Sequence, residues 1–218
     1  MRTLTPSEAK AFYDRFGAKQ DSQAFYEDAA VEELIGHADL GRAESVLELG
    51  CGTGRLAARL LAEEIPATAR YVGIDVSTTM LRLASERLRR FADRAEVRES
   101  DGSVRLPFGD GTFDRVVATY VTDLLSESDV RTFLDDARRV LRPGGRLGIV
   151  GLTRGRGVVG RLVSLLWSVV HGIRPAWVGG CRPMIVKPLV EDSGLEVVHR
   201  SVVTSWGITS EIVVGTKP

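Results

Sequence analysis

The sequence has few of the residues that build covalent or metal-centred frameworks. Its 218 residues include two cysteines, Cys51 and Cys181, and three histidines, His37, His171 and His199. Two thiols cannot make a disulfide framework or a four-cysteine zinc site. The histidines lie far apart in the sequence and give no short metal-binding motif, so we expect no metal cofactor.

Charge of one sign and long apolar runs are also missing. The 29 Lys and Arg residues balance 29 Asp and Glu residues, which disfavours nucleic-acid binding through bulk charge. The longest uncharged apolar run, Leu162 to Val170, is well short of the ~20 residues that span a bilayer. The first residues lack the apolar stretch of a signal peptide. We therefore expect a cytoplasmic protein that binds no nucleic acid.

Strand and helix patterns alternate along the chain, which is typical of βαβ units and a mostly parallel sheet. The predicted strands are Ser45–Leu49, Arg70–Ile74, Ala95–Glu99, Phe113–Thr119, Arg146–Gly151, Leu195–Thr204 and Gly207–Thr216. The predicted helices are Pro6–Phe16, Ser22–Ala38, Arg55–Glu64, one capped by Ser77, Asp129–Leu141 and one near Pro183–Ser193. The last two strands leave no room for a crossover and must pair antiparallel. The sequence predicts one α/β domain over residues 1–218, with a doubly wound, seven-stranded sheet.

Three glycines between the first strand and the next helix predict a loop that lets backbone approach a ligand. The segment reads Glu48-Leu49-Gly50-Cys51-Gly52-Thr53-Gly54. It is not a P-loop, because Gly54-Arg55-Leu56 lacks the closing Lys-Ser/Thr. A dinucleotide fingerprint requires glycine where Arg55 stands, and this disfavours a dehydrogenase.

Five ordered motifs over roughly residues 43–150 resemble the class I S-adenosylmethionine-dependent methyltransferases, of the ubiquinone/menaquinone (type 11) branch. They are Glu48–Gly54, Tyr71–Asp75, Asp101-Gly102, Leu106–Asp114 and Leu141–Leu147. Gly109 replaces a proline of the fourth motif, Asp101 to Leu106 is one residue longer than the family spacing, and the histidine that many relatives carry after the fourth strand is absent.

The resemblance implies a Rossmann-like fold that binds S-adenosyl-L-methionine and releases S-adenosyl-L-homocysteine. In this family the carboxylate at the Asp75 position binds both ribose hydroxyls, and the one at the Asp101 position lies near the adenine amino group. A carboxylate such as Asp75 can also be expected, from its chemistry alone, to accept two hydrogen bonds from a cis-diol. The predicted cofactor-binding residues are Glu48, Gly50, Cys51, Gly52, Thr53, Asp75, Val76, Met80, Asp101, Gly102 and Thr119.

No residue stands out as a catalytic base, and methyl transfer requires one only when the acceptor must lose a proton. The candidates are His171, Tyr120 and Tyr13. Tyr13-Asp14 resembles the family's N-terminal Tyr-Asp element, within a predicted helical lid at residues 1–42. His171 as a helix C-terminal residue and Tyr13 as an ordinary packing residue are the competing interpretations.

An apolar segment follows the fifth strand, where related enzymes insert acceptor-binding structure. Residues 158–170 are apolar almost all round, inside a predicted insert at residues 152–182. They can cover the core, form the wall of an acceptor pocket, or contact a membrane surface. This segment favours a small lipophilic or aromatic acceptor, such as a quinone precursor, a lipid headgroup amine or an aromatic natural product. A macromolecular methyltransferase and a non-catalytic binding protein are the alternatives.

Overall fold

Seven strands form a single sheet in the computed structural model, which describes residues 3–155, 169 and 180–218. The order across the sheet is β3-β2-β1-β4-β5-β7-β6. The strands are β1 Ser45–Leu49, β2 Arg70–Asp75, β3 Ala95–Glu99, β4 Phe113–Thr119, β5 Leu141–Leu152, β6 Glu196–Ser205 and β7 Ile208–Thr216.

Helices cover both faces of the sheet. They are α1 Pro6–Phe16, α2 Ala24–His37, α3 Arg55–Arg59, α4 Thr78–Arg87, α5 Glu127–Val140 and α6 Lys187–Asp192. A wider π turn at Leu60–Glu64 continues α3, so the predicted helix Arg55–Glu64 holds as two pieces. The helix predicted near Pro183 begins only at Lys187, and residues 181–186 before it form no regular secondary structure.

The pairing confirms the predicted doubly wound fold. Strands β1 to β5 pair in parallel, and β7 runs antiparallel to both β5 and β6. The strand order reverses between β1 and β4, which in open α/β sheets marks the place where ligands bind beyond the carboxyl ends of the strands. Strand β5 is longer than predicted, because its first residues pair with β4 and the helix before it ends at Val140.

The core lies on both faces of the sheet because the central strands are buried on both. In β4, Val116 packs into a cluster with α5 and α6, and Val117 packs into a cluster with α2 and α3. Both side chains are at most 1% exposed. Near-continuous apolar strands are typical of parallel sheets covered on two faces.

Helix α5 fixes the turn Leu106–Asp110, which leads into the amino end of β4. Arg139 on this helix donates to both carboxylate oxygens of Asp136, at 2.9 and 3.0 Å. It also donates to the carbonyls of Leu106 and Phe108, at 2.9 and 2.7 Å, and to the Asp110 carboxylate. Asp136 in turn accepts the backbone N–H of Leu106. One guanidinium thus holds the whole turn against the helix.

Replacing this guanidinium is expected to destabilise the fold. Arg139→Met should lower the free energy of unfolding by about 2–3 kcal/mol, because it leaves the buried Asp136 carboxylate and two carbonyls without their charged donor. Arg138→Met, at the exposed neighbouring position, is the matched control and should change it by less than about 0.5 kcal/mol. Urea unfolding of the two variants measures these changes. Equal decreases in the free energy of unfolding would contradict the proposed role of Arg139.

Among the described residues, no helix is long and apolar enough to cross a membrane. Of the apolar segment 158–170, only Val169 is described, and its side chain is 54% exposed. The predictions of a core cover, a pocket wall or a membrane contact therefore fall outside the described residues, as does most of the predicted insert 152–182.

Candidate functional site

The loop after β1 is built so that only glycine fits at its closest approaches. Gly50 and Gly52 have φ of +70° and +52°, which is left-handed backbone that side chains disfavour. A Cβ on Gly50 would lie 2.2 Å from Val121 Cγ2, and one on Gly52 would lie 3.0 Å from Gln20 Oε1. At these glycines the backbone of the loop is therefore not covered by a side chain of its own.

Asp75, the last residue of β2, reaches across to this loop. Its Oδ2 accepts the N–H of Gly52 at 2.9 Å, and its Oδ1 accepts the N–H of Ser77 at 2.9 Å. Burial raises the pKa of the Asp75 carboxyl, whereas these backbone donors act to lower it. Each oxygen retains a free acceptor position, so Asp75 can hold the loop and still accept hydrogen bonds from a ligand.

Glu48 lies beneath the loop instead of facing the larger cavity described below. Its side chain is 1% exposed and its Oε2 accepts the Tyr71 hydroxyl at 2.6 Å. Burial, with a smaller contribution from the Asp75 charge, raises the pKa of the Glu48 carboxyl to about 7. A buried acid this close to neutrality makes the stability of the loop region depend on pH.

The sign of this dependence follows from the raised pKa. Protonated Glu48 favours the folded state, so its contribution is full below its usual 4.5 and is lost as the pH rises through about 7. Glu48→Gln removes that loss and keeps an acceptor for Tyr71. The stability of the variant relative to wild type should therefore rise by up to about 3 kcal/mol between about pH 5 and pH 8. Urea unfolding across that range tests this, and a difference independent of pH would contradict it.

Two adjoining cavities open at the carboxyl ends of β1, β2 and β4. The larger holds about 420 Å³ and the smaller about 120 Å³. Both are lined by Gln20, Gly50, Thr119 and Tyr120, so they form one continuous cleft. The larger cavity also contacts α1 and the residues after β4, among them Pro6, Tyr13, Asp75, Val76, Gly102, Val121, Leu124 and Leu125. The smaller also contacts Glu27, Glu48, Cys51, Thr53, Arg55 and Arg59.

The N-terminal helix α1 lines one side of the larger cavity. Asp14 of α1 accepts the Ser77 hydroxyl at 2.6 Å and the N–H of Thr79 at 3.1 Å, and these bonds hold its pKa below the usual range. Lys10 donates to the Val76 carbonyl at 3.0 Å and to Glu99 at 2.9 Å. These hydrogen bonds attach helix α1 to the ends of the strands. The sequence pattern alone does not predict them.

Two residues of the cleft escaped the sequence interpretation. The Gln20 Oε1 is buried and has no hydrogen-bond partner among the described residues. Asp21 accepts the Thr53 hydroxyl at 2.5 Å and Arg87 Nη2 at 2.6 Å, and so ties the segment before α2 to the glycine loop. Both lie in a short 3₁₀ segment, Gly17–Gln23, that has no periodicity or motif to mark it.

The structure places the remaining predicted cofactor residues in four different environments. Val76, Gly102 and Thr119 line the larger cavity. Cys51, Thr53 and Glu48 line the smaller one, and burial raises the pKa of the Cys51 thiol. Met80 is 1% exposed in the core. Asp101 is at the surface, where its Oδ1 accepts the Ser103 N–H at 2.8 Å, and it does not line the cleft.

Two of the three catalytic candidates border the cleft. Tyr13 and Tyr120 line the larger cavity, and burial raises the pKa of both hydroxyls. Tyr120 lies within hydrogen-bond distance of Ser210, 2.9 Å from its Oγ, and has φ of +55°. Such left-handed backbone at a non-glycine residue is costly and concentrates at functional sites. His171 lies outside the described residues.

Comparison with known proteins agrees with this geometry. Residues 46–145 match a family model described as a methyltransferase domain. Methyltransferase GfsG of Streptomyces halstedii is 34% identical over 143 residues, which make up 65% of this chain and 48% of that protein. Demethylmenaquinone methyltransferase of Tropheryma whipplei (strain Twist) is 40% identical over 104 residues, 48% of this chain and 40% of that protein.

A solved structure extends the likeness over the whole chain. The fold is similar to that of the (4+2)-cyclase SpnF, with a TM-score of 0.77, 18% identity and coverage of 100% of this chain and 98% of that chain. At this identity the likeness concerns the fold alone, and this chain spans about half or less of the length of the two curated relatives. Residues 46–145 of this chain thus match a methyltransferase domain, and the seven-stranded sheet agrees with that match.

Proposed function

We propose that this chain binds S-adenosylmethionine in the cleft and transfers its methyl group to a small lipophilic or aromatic acceptor. The observation that carries the proposal is the meeting of Asp75, the bare Gly50 backbone and the unpartnered Gln20 Oε1 around one continuous cleft. Each offers a different interaction, and the ligand carries a matching group for each. When bound, S-adenosylmethionine supplies a methyl group on a positively charged sulfonium.

The residues present fit this cofactor. The Asp75 carboxylate can accept hydrogen bonds from the ribose hydroxyls through its free lone pairs. The wall of the smaller cavity carries Arg55 in ion pairs with Glu27 and Asp28. Charges of both signs can complement a zwitterionic amino-acid end. Gln20 Oε1 is a buried acceptor with no donor in the described part of the chain, and it gains a hydrogen bond if the ligand's ammonium group donates to it.

The acceptor side is apolar with two phenol groups. Leu124, Leu125 and Val121 line the larger cavity beside Tyr13 and Tyr120. Because burial raises the pKa of both phenols, they are protonated at neutral pH and act as hydrogen-bond donors instead of bases. The chain therefore works by orienting the acceptor and excluding water, and it favours an acceptor that is already nucleophilic or readily loses its proton.

Quinone precursors and natural products are the acceptor classes to test first. One relative is named for demethylmenaquinone, which supports a reduced naphthoquinone as an acceptor. The purified chain should be titrated with S-adenosylmethionine and S-adenosylhomocysteine by calorimetry, and then incubated with methyl-labelled S-adenosylmethionine and a reduced demethylnaphthoquinone or a phenolic polyketide. Label in an extracted small product is the expected result.

Three other outcomes separate the alternatives. Binding of the cofactor without label transfer to any acceptor, including cell extract, would favour a non-catalytic binding protein. Label that stays with RNA or protein would favour a macromolecular methyltransferase. A folded chain that binds neither S-adenosylmethionine nor S-adenosylhomocysteine would overturn the proposal.

A further inference from the structure

A second group of ligand-type side chains lies outside the cleft. Glu33 and His37 on α2 and His199 on β6 each offer one metal-ligating atom, and these atoms lie within 4.8 Å of one another. None of the three lines either cavity. Two of the chain's three histidines, 162 positions apart in sequence, thus meet on one surface.

A β-bulge brings His199 to this surface. The pairing of β6 with β7 shifts by one residue between Val197 and His199. Val197 packs with the cluster of α5 and α6, whereas the β7 partner of His199, Val214, packs with the cluster of α2 and α3. Residues two apart in a regular strand share a face, so the bulge moves His199 to the face that α2 covers.

The distances are close to those of ligands around one ion. Glu33 Oε1 lies 3.1 Å from His199 Nε2 and 3.9 Å from His37 Nδ1. At zinc bond lengths of about 2.0–2.2 Å, atoms around a tetrahedral ion are roughly 3.3 Å apart. One carboxylate oxygen is thus already placed between two imidazoles.

We propose that Glu33, His37 and His199 bind a zinc-class divalent transition-metal ion that ties α2 to β6. Two imidazoles and one carboxylate are a ligand set that zinc accepts, with a fourth position left for water. Alkaline-earth ions are disfavoured because they take mainly oxygen ligands. The site is independent of methyl transfer, since it shares no residue with the cleft.

Binding requires one movement that the structure permits. The rings of His37 and His199 are stacked, with centroids 3.5 Å apart and planes 12° apart. An ion lies in the plane of each imidazole that binds it, so two stacked rings cannot both coordinate until one turns. His37 is the ring that turns, because its side chain is 42% exposed, against 20% for His199. Its Nδ1 lies 2.9 Å from the Glu33 carbonyl oxygen, and this contact is given up when the ion binds.

The test is a zinc titration of the full chain after removal of metal with a chelator. Wild type should bind one Zn²⁺ with micromolar or tighter affinity by calorimetry. His37→Ala and His199→Ala should each weaken binding by at least about tenfold, since even outer-shell partners of ligands contribute that much. His171→Ala is the matched control, because His171 is the only other histidine, and it should bind as wild type does.

A thermal melt supplies a second readout. Excess zinc should raise the midpoint of wild type and of His171→Ala and leave that of His37→Ala unchanged, because an ion that binds only the folded state stabilises it. Melts with chelator present show whether each variant folds. Wild-type binding no tighter than millimolar, or equal weakening in His171→Ala and His37→Ala, would reduce the cluster to a hydrogen-bonded group without a metal.

Discussion

Asp75→Asn is expected to weaken binding of S-adenosylmethionine by about 10- to 100-fold. Both carboxylate oxygens accept backbone N–H groups, from Gly52 and Ser77. An asparagine side chain has one acceptor oxygen, and its NH₂ group must then face the other N–H. A buried donor without an acceptor costs about 1–3 kcal/mol, and the variant also loses the charge that favours the ligand's hydroxyl donors.

Calorimetric titration with S-adenosylhomocysteine measures this effect without turnover. Asp93→Asn, at an exposed position outside the cleft, is the matched control and should bind like wild type. Asp101→Asn is the informative third variant, because the motif predicts a carboxylate contact that the surface position of Asp101 does not provide. Tight binding by Asp75→Asn would contradict the assigned role of the carboxylate, provided that its melt shows a folded chain.

The sequence was most informative where local chemistry and chain order fix the structure. The alternation of strands and helices determines a parallel sheet, and a glycine loop after β1 then has to lie beside the end of β2. That reasoning predicted that the glycine loop and Asp75 serve one ligand site. The structure joins Gly52 to Asp75 by a hydrogen bond, and Gly50 and Asp75 both line the larger cavity.

Contacts made across the fold leave no such pattern. Gln20 and Asp21 reach the cleft because a 3₁₀ segment folds back over the glycine loop, and neither residue has a periodic or motif neighbour. Glu48 is buried below the loop, where Tyr71 donates to it, and the motif alone does not specify on which side of the loop it lies. His199 reaches α2 only through a one-residue bulge, which period-two reasoning does not predict.

Gly50→Ala is expected to lower the free energy of unfolding by about 2–4 kcal/mol and to abolish binding of S-adenosylhomocysteine. The left-handed φ of +70° costs an alanine about 1–2 kcal/mol. The new Cβ would also lie 2.2 Å from Val121 Cγ2, and a valine in a packed wall cannot turn away without a rotamer change. Relief of the strained φ moves the loop, and relief of the clash moves the cavity wall at Val121. Both changes alter the cleft where the loop backbone is expected to contact the ligand.

Two further variants separate the causes. Gly36→Ala places the same methyl group on an exposed turn of α2, with no atom within 4 Å, and should stabilise the chain by up to about 1 kcal/mol. Adding Val121→Ala to Gly50→Ala removes the clash and leaves the strained φ, so stability should return in part. Full recovery of the free energy of unfolding would assign the whole loss to the clash with Val121. No recovery would assign the whole loss to the strained backbone. Unfolding with urea and calorimetric titration of all four chains measure both effects, and a Gly50→Ala chain that matches wild type in both would refute the close-approach argument.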